Sequence, residues 1–312
     1  MSKGCDCVTG SFSNQTKTEI CGTVRKQKDK TAFLTGVLLA ARRVSAAEIV
    51  LQTECEAFAA LVPQLLQAVP GGFVCDTEFR SRKDKLPVWC FTLSGGDADA
   101  LLSALQINPE NRADSPAFLQ STGKSLCMLA AGAFVICGSI TDPARAYHLE
   151  YALPDAAFAG VLRERIAEEQ PAIAFRQTVR KQDTLLYLKQ NEQICDALTY
   201  FGAQNASLSL AEQQIYKSFR SQTNRRTNCD LANIDKTVAA GEQQVEDILL
   251  IQRVSGLDSL PESLQEIAQV RLENPEANLR DLGAACNPPL SRSGVHHRLS
   301  RLAQIAAKLR DL

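Results

Sequence analysis

An internal repeat is the feature of this sequence that most constrains its fold. Residues 31–108 and residues 124–208 each open with an apolar stretch that has a glycine in its middle, Gly36 in the first and Gly132 in the second. Segments of alternating apolar and polar residues follow in both, interrupted by amphipathic segments, and a short helical pattern closes each unit. Because amphipathic helices can cover the buried face of such strands, the repeat predicts an α+β domain with two halves related by a pseudo-twofold axis.

The matched glycines make a more specific prediction about the two opening helices. A glycine inside a helix costs about 1 kcal/mol relative to alanine, so it is favoured where a side chain would not fit. We therefore expect the opening helices to pack closely on each other through Gly36 and Gly132. Two chance glycines in separate core helices are the alternative.

The overall charge limits where a nucleic-acid site could lie. Among 312 residues, 34 Lys and Arg nearly balance 35 Asp and Glu, and 45% of the residues are hydrophobic. These numbers describe a globular chain that is not basic throughout, so any DNA site has to be a local patch. The sequence has no apolar window long enough for a membrane span and no signal-peptide pattern, which predicts a cytoplasmic protein.

The chain changes character after residue 208, where the strand signals stop. We expect the repeat domain over residues 1–208, a helical linker over residues 209–258 and a small all-α domain over residues 259–312. Asn-Pro sequences divide the last segment into three helices, a pattern typical of a helix-turn-helix. The predicted helices are Pro261–Glu273, Asn278–Ala285 and Ser291–Arg310.

The last predicted helix is strongly basic, although the chain as a whole is nearly neutral. Residues 291–310 contain five Lys or Arg, two His and no acidic residue. Ser291 can cap the helix and leave its first N–H groups facing a phosphate, as at the start of a recognition helix. We expect Arg292, Ser293 and His297 to contact base edges, and Arg298 and Arg301 to meet mainly phosphate. His296 is a further candidate DNA contact. A solvated terminal helix with a favourable C-terminal charge is the alternative.

Two further basic clusters precede this helix. Lys217, Arg220, Arg225 and Arg226 lie on a predicted helix without an acidic residue between them, so they are candidate phosphate contacts. Residues 80–85, with the sequence RSRKDK, join two predicted strands and are more typical of a solvated hairpin tip. We therefore expect only the first cluster to contact DNA phosphates.

The residues for catalysis or metal binding are few. The chain has three histidines, two of them adjacent in the last helix, and no glycine-rich phosphate loop or catalytic triad pattern. Cys5 and Cys7 are the closest cysteine pair, and no second pair at zinc-ligand spacing accompanies them. We predict no metal site, no cofactor and no catalytic residues.

Several long motifs resemble a known family. The chain is similar to the bacterial WhiA-type DNA-binding regulators of sporulation and cell division. The motifs are GSITDPARAYHLEY (138–151), RTNCDLANIDKTVAAGEQQVEDI (226–248), LPESLQEIAQVRLENPEANLRDLG (260–283) and LSRSGVHHRLSRLAQIA (290–306). The resemblance implies a domain like a LAGLIDADG homing endonuclease that has lost its catalysis, a helical linker and a DNA-binding helix-turn-helix.

The nuclease motif itself can be aligned with both halves of the repeat. In the endonucleases its eighth position is normally an acid that helps hold a divalent cation. Alignment with Leu34–Arg42 puts Ala41 at that position, and alignment with Ala130–Gly138 puts Cys137 there. Neither side chain binds Mg²⁺ as a carboxylate does, so we expect no nuclease activity.

Three functions remain open from the sequence. The leading one is a sequence-specific transcription regulator linked to sporulation, cell division and chromosome segregation, bound to double-stranded DNA on the nucleoid. The alternatives are a residual LAGLIDADG-type DNA endonuclease and a helix-turn-helix that docks on a division or transcription partner. A sigma factor or a cell-division protein is the candidate protein partner. The N-terminal segment with Cys5 and Cys7 matches none of the motifs, and we expect it to be disordered.

Overall fold

The computed structural model describes residues 10–82 and 85–310. They fall into two compact units, one within Met1–Lys217 and one within Ser218–Leu312, and each has its own hydrophobic core. No helix in these two described stretches combines the length and the hydrophobicity that a membrane crossing requires. Cys5 and Cys7 lie outside the described residues.

The first half of the repeat forms a four-stranded antiparallel sheet with helices packed on it. An additional helix, α1, precedes it. The elements are α1 (Phe12–Thr23), α2 (Gln27–Ala40), β1 (Arg43–Val44), β2 (Glu48–Thr53), α3 (Glu56–Gln67), β3 (Asp76–Arg82), β4 (Lys85–Ser94) and α4 (Gly96–Ala104). The strand order is β1-β2-β4-β3.

The second half repeats this arrangement after the short helix α5 (Pro116–Leu119). Its elements are α6 (Lys124–Cys137), β5 (Gly138–Ile140), β6 (Leu149–Leu153), α7 (Ala156–Glu169), β7 (Arg176–Arg180), β8 (Asp183–Leu188) and α8 (Asn191–Tyr200). The strand order β5-β6-β8-β7 matches that of the first sheet strand for strand. This match confirms the predicted α+β domain with two related halves.

The opening helices α2 and α6 pack against each other, and their glycines are the reason they can come so close. A Cβ atom added to Gly36 would overlap the backbone carbonyl of Leu129, and one added to Gly132 would overlap the carbonyl of Phe33. Backbone atoms cannot rotate away as a side chain can, so any larger residue has to separate the helices. The predicted close contact through both glycines is confirmed.

Helix α1 follows the segment with Cys5 and Cys7, for which we expected disorder and which lies outside the described residues. The Asn14 N–H donates to the Ser11 hydroxyl at 3.3 Å, which caps the helix. Thr16, Ile20 and Cys21 are buried, and the helix packs on α3 and α6. The Thr16 hydroxyl donates to the Phe12 carbonyl at 2.8 Å, so a polar side chain is accommodated inside the core.

The C-terminal unit is built from helices alone. The long helix α9 (Gln204–Val254) begins within the N-terminal unit and contributes its residues from Ser218 onward to this one. It is followed by α10 (Glu262–Glu273), α11 (Leu279–Ala285) and α12 (Arg292–Arg310). Ile248 and Ile251 of α9 are buried in the same core as Ile267 of α10 and Val295 of α12. This core therefore includes the last turns of α9, which lie upstream of the three helices that the sequence separates by Asn-Pro.

Candidate nucleic-acid interface

The N-terminus of α12 is capped and carries no negative charge. The Ser291 hydroxyl accepts a hydrogen bond from the Gly294 N–H at 3.2 Å and lies 3.1 Å from the Ser293 hydroxyl. The first turn of the helix contains no acidic residue. The positive end of the helix dipole is therefore available to an anion such as a phosphate.

Helix α12 has one buried face and one exposed face, as the spacing of its apolar residues predicts. Val295, Leu299, Leu302 and Ala306 are buried in the core of the C-terminal unit. The opposite face is exposed to solvent, and five of the predicted DNA contacts lie on it: Arg292, Ser293, His296, His297 and Arg301. Because the buried stripe fixes the rotation of the helix, these side chains have to project away from the core.

Arg298 differs from the other predicted contacts on α12. Its guanidinium donates to the Glu266 carboxylate and to the Ser263 carbonyl, both at 3.1 Å. About a quarter of the Arg298 side chain is exposed. Arg298 therefore ties α12 to α10, which differs from the expectation that it mainly meets phosphate.

The four basic residues of the second cluster are not equivalent. The Lys217 ammonium donates to the Pro143 carbonyl at 2.6 Å and lies 4.9 Å from the centre of the Tyr147 ring. Lys217 is therefore held inside the N-terminal unit. The other three members, Arg220, Arg225 and Arg226, are exposed on α9. In the third cluster, Lys83 and Asp84 lie outside the described residues.

A groove of about 700 Å³ runs along the C-terminal unit beside this face of α12. Its walls come from α9, α10, α11 and α12. The residues that line it are Asn233, Lys236, Thr237, Ala240, Gln244, Arg271, Asn278, Leu279, Arg280, Arg292 and His296. Sequence reasoning did not select Lys236 or Arg280, although both lie inside the motifs RTNCDLANIDKTVAAGEQQVEDI and LPESLQEIAQVRLENPEANLRDLG.

The sheets of the N-terminal unit carry arginines as well, but carboxylates neutralise several of them. Arg42 binds Asp183 through two hydrogen bonds of 2.8 and 2.5 Å, directly after the end of α2. Three more arginines near or on the strands form ion pairs: Arg43 with Glu48, Arg80 with Glu78, and Arg180 with Glu150. The net positive charge that these side chains offer to a phosphate is therefore small.

The ends of α2 and α6 hold the two positions where a LAGLIDADG nuclease has its acids. Ala41 and Cys137 occupy them and line a common cavity of about 410 Å³. The Cys137 thiol donates to the Ala133 carbonyl at 3.1 Å, and burial raises the pKa of this thiol to about 12. Across the described residues, no three His, Cys, Asp or Glu side chains cluster as metal ligands. The helix ends thus carry a methyl group and a neutral thiol.

Comparisons with known proteins match two parts of the chain to two different families. The family described as the WhiA LAGLIDADG-like domain matches residues 127–220, and the family described as the WhiA C-terminal HTH domain matches residues 223–306. A protein of Clostridium acetobutylicum named "Probable cell division protein WhiA" is 33% identical over 96% of this chain and 98% of its own length. A protein of Moorella thermoacetica with the same name is 42% identical over 57% of this chain and 56% of its own length.

A solved structure has the same fold. The crystal structure of full-length DUF199/WhiA from Thermotoga maritima superimposes with a TM-score of 0.59 at 22% identity. The superposition covers 96% of this chain and 99% of that one. The two family matches and the structural match thus both point to the same two-part fold.

Proposed function

Because the chain belongs to the WhiA family, we propose that it is a sequence-specific DNA-binding transcription regulator that acts in cell division, sporulation and chromosome segregation. The observation that carries this proposal is the exposed, capped and basic N-terminal half of α12. A helix of this kind fits the major groove of DNA, where each base pair presents its own pattern of donors and acceptors. The protein would then reside in the cytoplasm on the nucleoid.

The geometry of α12 divides the proposed contacts into two kinds. Arg292, Ser293 and His297 lie in the first two turns, the part of a recognition helix that enters the groove. Arg292 is suited to guanine, because a guanidinium can donate to both major-groove acceptors of that base. Arg301 lies two turns further along and points to the wall of the groove, where phosphates are the available partners.

Binding titrations of two variants test this assignment. We expect Arg292→Ala to cost about 1–3 kcal/mol on the preferred duplex and to reduce the discrimination against a scrambled duplex. We expect Arg301→Ala to weaken binding to both duplexes alike and to lower the slope of log K against log salt by about one. The preferred duplex is first selected by the full chain from random sequences.

The two variants serve as controls for each other, since each removes one exposed arginine from the same helix. Equal losses on both duplexes for Arg292→Ala would show that another residue reads the bases. Failure of the full chain to enrich any sequence would contradict sequence-specific binding.

We also propose that the N-terminal unit does not cut DNA. The positions of the two motif acids hold Ala41 and Cys137, so the carboxylate pair that brings a divalent cation to the scissile phosphate is missing. Supercoiled plasmid incubated with the protein and Mg²⁺ or Mn²⁺ should remain supercoiled. Nicking that is lost in a variant of the α2 and α6 helix ends would support the endonuclease alternative instead.

Protein partners belong to the same proposal. Relatives named as cell division proteins support a division protein as the partner, and a sigma factor is the other candidate. Mapping of DNA bound in cells separates the possibilities. Enriched promoters with a shared sequence motif would support regulation, whereas recruitment that persists with Arg292→Ala would support docking on a protein.

A further inference from the structure

We propose that the groove of the C-terminal unit binds the DNA backbone, so that α9 and α11 hold phosphates beside the bases contacted by α12. This inference rests on the proposed DNA-binding function and extends the interface beyond the helix-turn-helix to α9. Lys236 of α9 and Arg280 of α11 are the residues that would bind the phosphates. Lys236 and Arg280 are both exposed to solvent.

The first argument is the charge of the groove. Lys236, Arg280 and Arg292 form no ion pair with any residue that the structure describes, and no Asp or Glu is among the described residues that line the groove. Two carboxylates elsewhere in this unit are paired with arginines. Glu266 binds Arg298, and Asp247 binds Arg310 at 2.5 Å. The groove therefore brings together three cations that have no counter-ion among the described residues.

The second argument is a buried cation in the groove wall. Arg271 is only 2% exposed, and its Nη1 donates to the carbonyls of Asn274, Pro275 and Ala277. Among the described residues, its Nε atom has no hydrogen-bond partner and no carboxylate pairs with the guanidinium. A buried charge is normally compensated, because desolvation is costly. Arg271 lines the groove, so an anion in the groove would supply the missing compensation.

The third argument identifies the anion. Arg292 and His296 line the groove and also belong to the exposed face of α12. The groove is thus continuous with the end of α12 that would enter the major groove of DNA. A strand whose bases meet the first turns of α12 would present its phosphates to the adjoining surface. Several separate cations along one groove fit a row of phosphates better than a single small anion.

Salt-dependent binding of the full chain to the selected duplex and to a scrambled duplex tests the inference. Neutralising one phosphate contact lowers the slope of log K against log salt by about one. We expect Lys236→Ala and Arg280→Ala each to lower the slope by about one, and the double variant to lower it by about two. The loss should be the same on both duplexes, because phosphates carry no sequence information.

Lys308→Ala is the matched control, since Lys308 is exposed on α12 but does not line the groove. Circular dichroism melting of every variant verifies that the helices remain folded. An unchanged slope for the double variant, or an equal decrease for Lys308→Ala, would overturn the inference. Loss of discrimination in Arg292→Ala together with a normal slope in the double variant would reject the groove and retain the proposed function. Absence of duplex binding by the unaltered chain would reject both.

Discussion

Several arginines of the N-terminal unit are paired with carboxylates, whereas the arginines that line the groove of the C-terminal unit are not. In the N-terminal unit, Arg42 and Arg43 each have a carboxylate partner within 2.8 Å, and further pairs lie on the strands. In the C-terminal unit, Arg280 and Arg292 line a groove without such a partner among the described residues, and Arg271 is buried without one. The comparison teaches that the number of basic residues is a poor guide to a DNA surface. The positive charge that remains uncompensated is the better guide.

The first way to test this comparison is to destabilise the N-terminal unit alone. Replacing Gly132 by alanine places a methyl group against the Phe33 carbonyl between α2 and α6. We expect Gly132→Ala to lower the free energy of unfolding of this unit by about 1–3 kcal/mol. Trp89 of β4 is the only tryptophan in the chain, so its fluorescence during urea unfolding reports this unit.

Gly160→Ala is the matched control, because Gly160 also lies inside a helix but has open space around it. Removing a helical glycine there should raise the free energy of unfolding by about 0.5–1 kcal/mol. The two substitutions should therefore shift the transition in opposite directions. A shift in the same direction for both would show that α2 and α6 tolerate the added methyl group.

A second test concerns Arg298, a paired arginine of the C-terminal unit. Removing its side chain leaves Glu266 and the Ser263 carbonyl without their partner. We expect Arg298→Ala to destabilise this unit by about 1 kcal/mol. Hydrogen exchange of the amides in α10 and α12 should accelerate about fivefold, the factor that corresponds to this free energy.

Arg301→Ala is the control for this measurement, since Arg301 is exposed on the same helix. Its substitution should change stability by less than about 0.5 kcal/mol. Trp89 fluorescence should report no change in the N-terminal unit for either variant. Equal exchange rates in Arg298→Ala and the unaltered chain would mean that the ion pair does not stabilise the helices.

The smallest effect on DNA binding is expected for Arg80, although it lies in a basic cluster of the N-terminal unit. Arg80 lies on β3 in the RSRKDK cluster and forms an ion pair with Glu78. The hydrogen bond from Arg80 lowers the pKa of the Glu78 carboxyl. We expect Arg80→Ala to leave the salt slope of DNA binding unchanged, whereas Arg301→Ala lowers it by about one. A decrease of about one for Arg80→Ala would show that the sheets also bind phosphate.

Much of the fold could be predicted from the sequence, because the signals that specify it are local. The alternation of the strands and the matched Gly36 and Gly132 identified the two halves, and the spacing of Val295 and Leu299 identified the buried face of α12. Helix α1 was missed, because a sequence such as FSNQTKTEICGT has few apolar residues and a weak periodicity. Its burial depends on α3 and α6, which lie far away in sequence.

The candidate site was harder to predict, because its properties depend on distant partners. Arg298 and Glu266 are 32 residues apart, and Lys217 and Pro143 are 74 apart, so no local pattern distinguishes these cations from available ones. Lys236 and Arg280 come together only when α9 and α11 pack in one unit. Sequence shows which residues are basic, whereas the fold decides which of them keep an uncompensated charge.

Arginine modification in the presence and absence of the selected duplex tests the central claim most directly. Phenylglyoxal reacts with exposed guanidinium groups, and mass spectrometry of the digested chain measures the rate at each arginine. DNA binding through the C-terminal unit predicts that the duplex slows the modification of Arg292 and Arg301 and leaves that of Arg80 and Arg180 unchanged. Protection of Arg80 and Arg180, with unchanged rates at Arg292 and Arg301, would contradict the account.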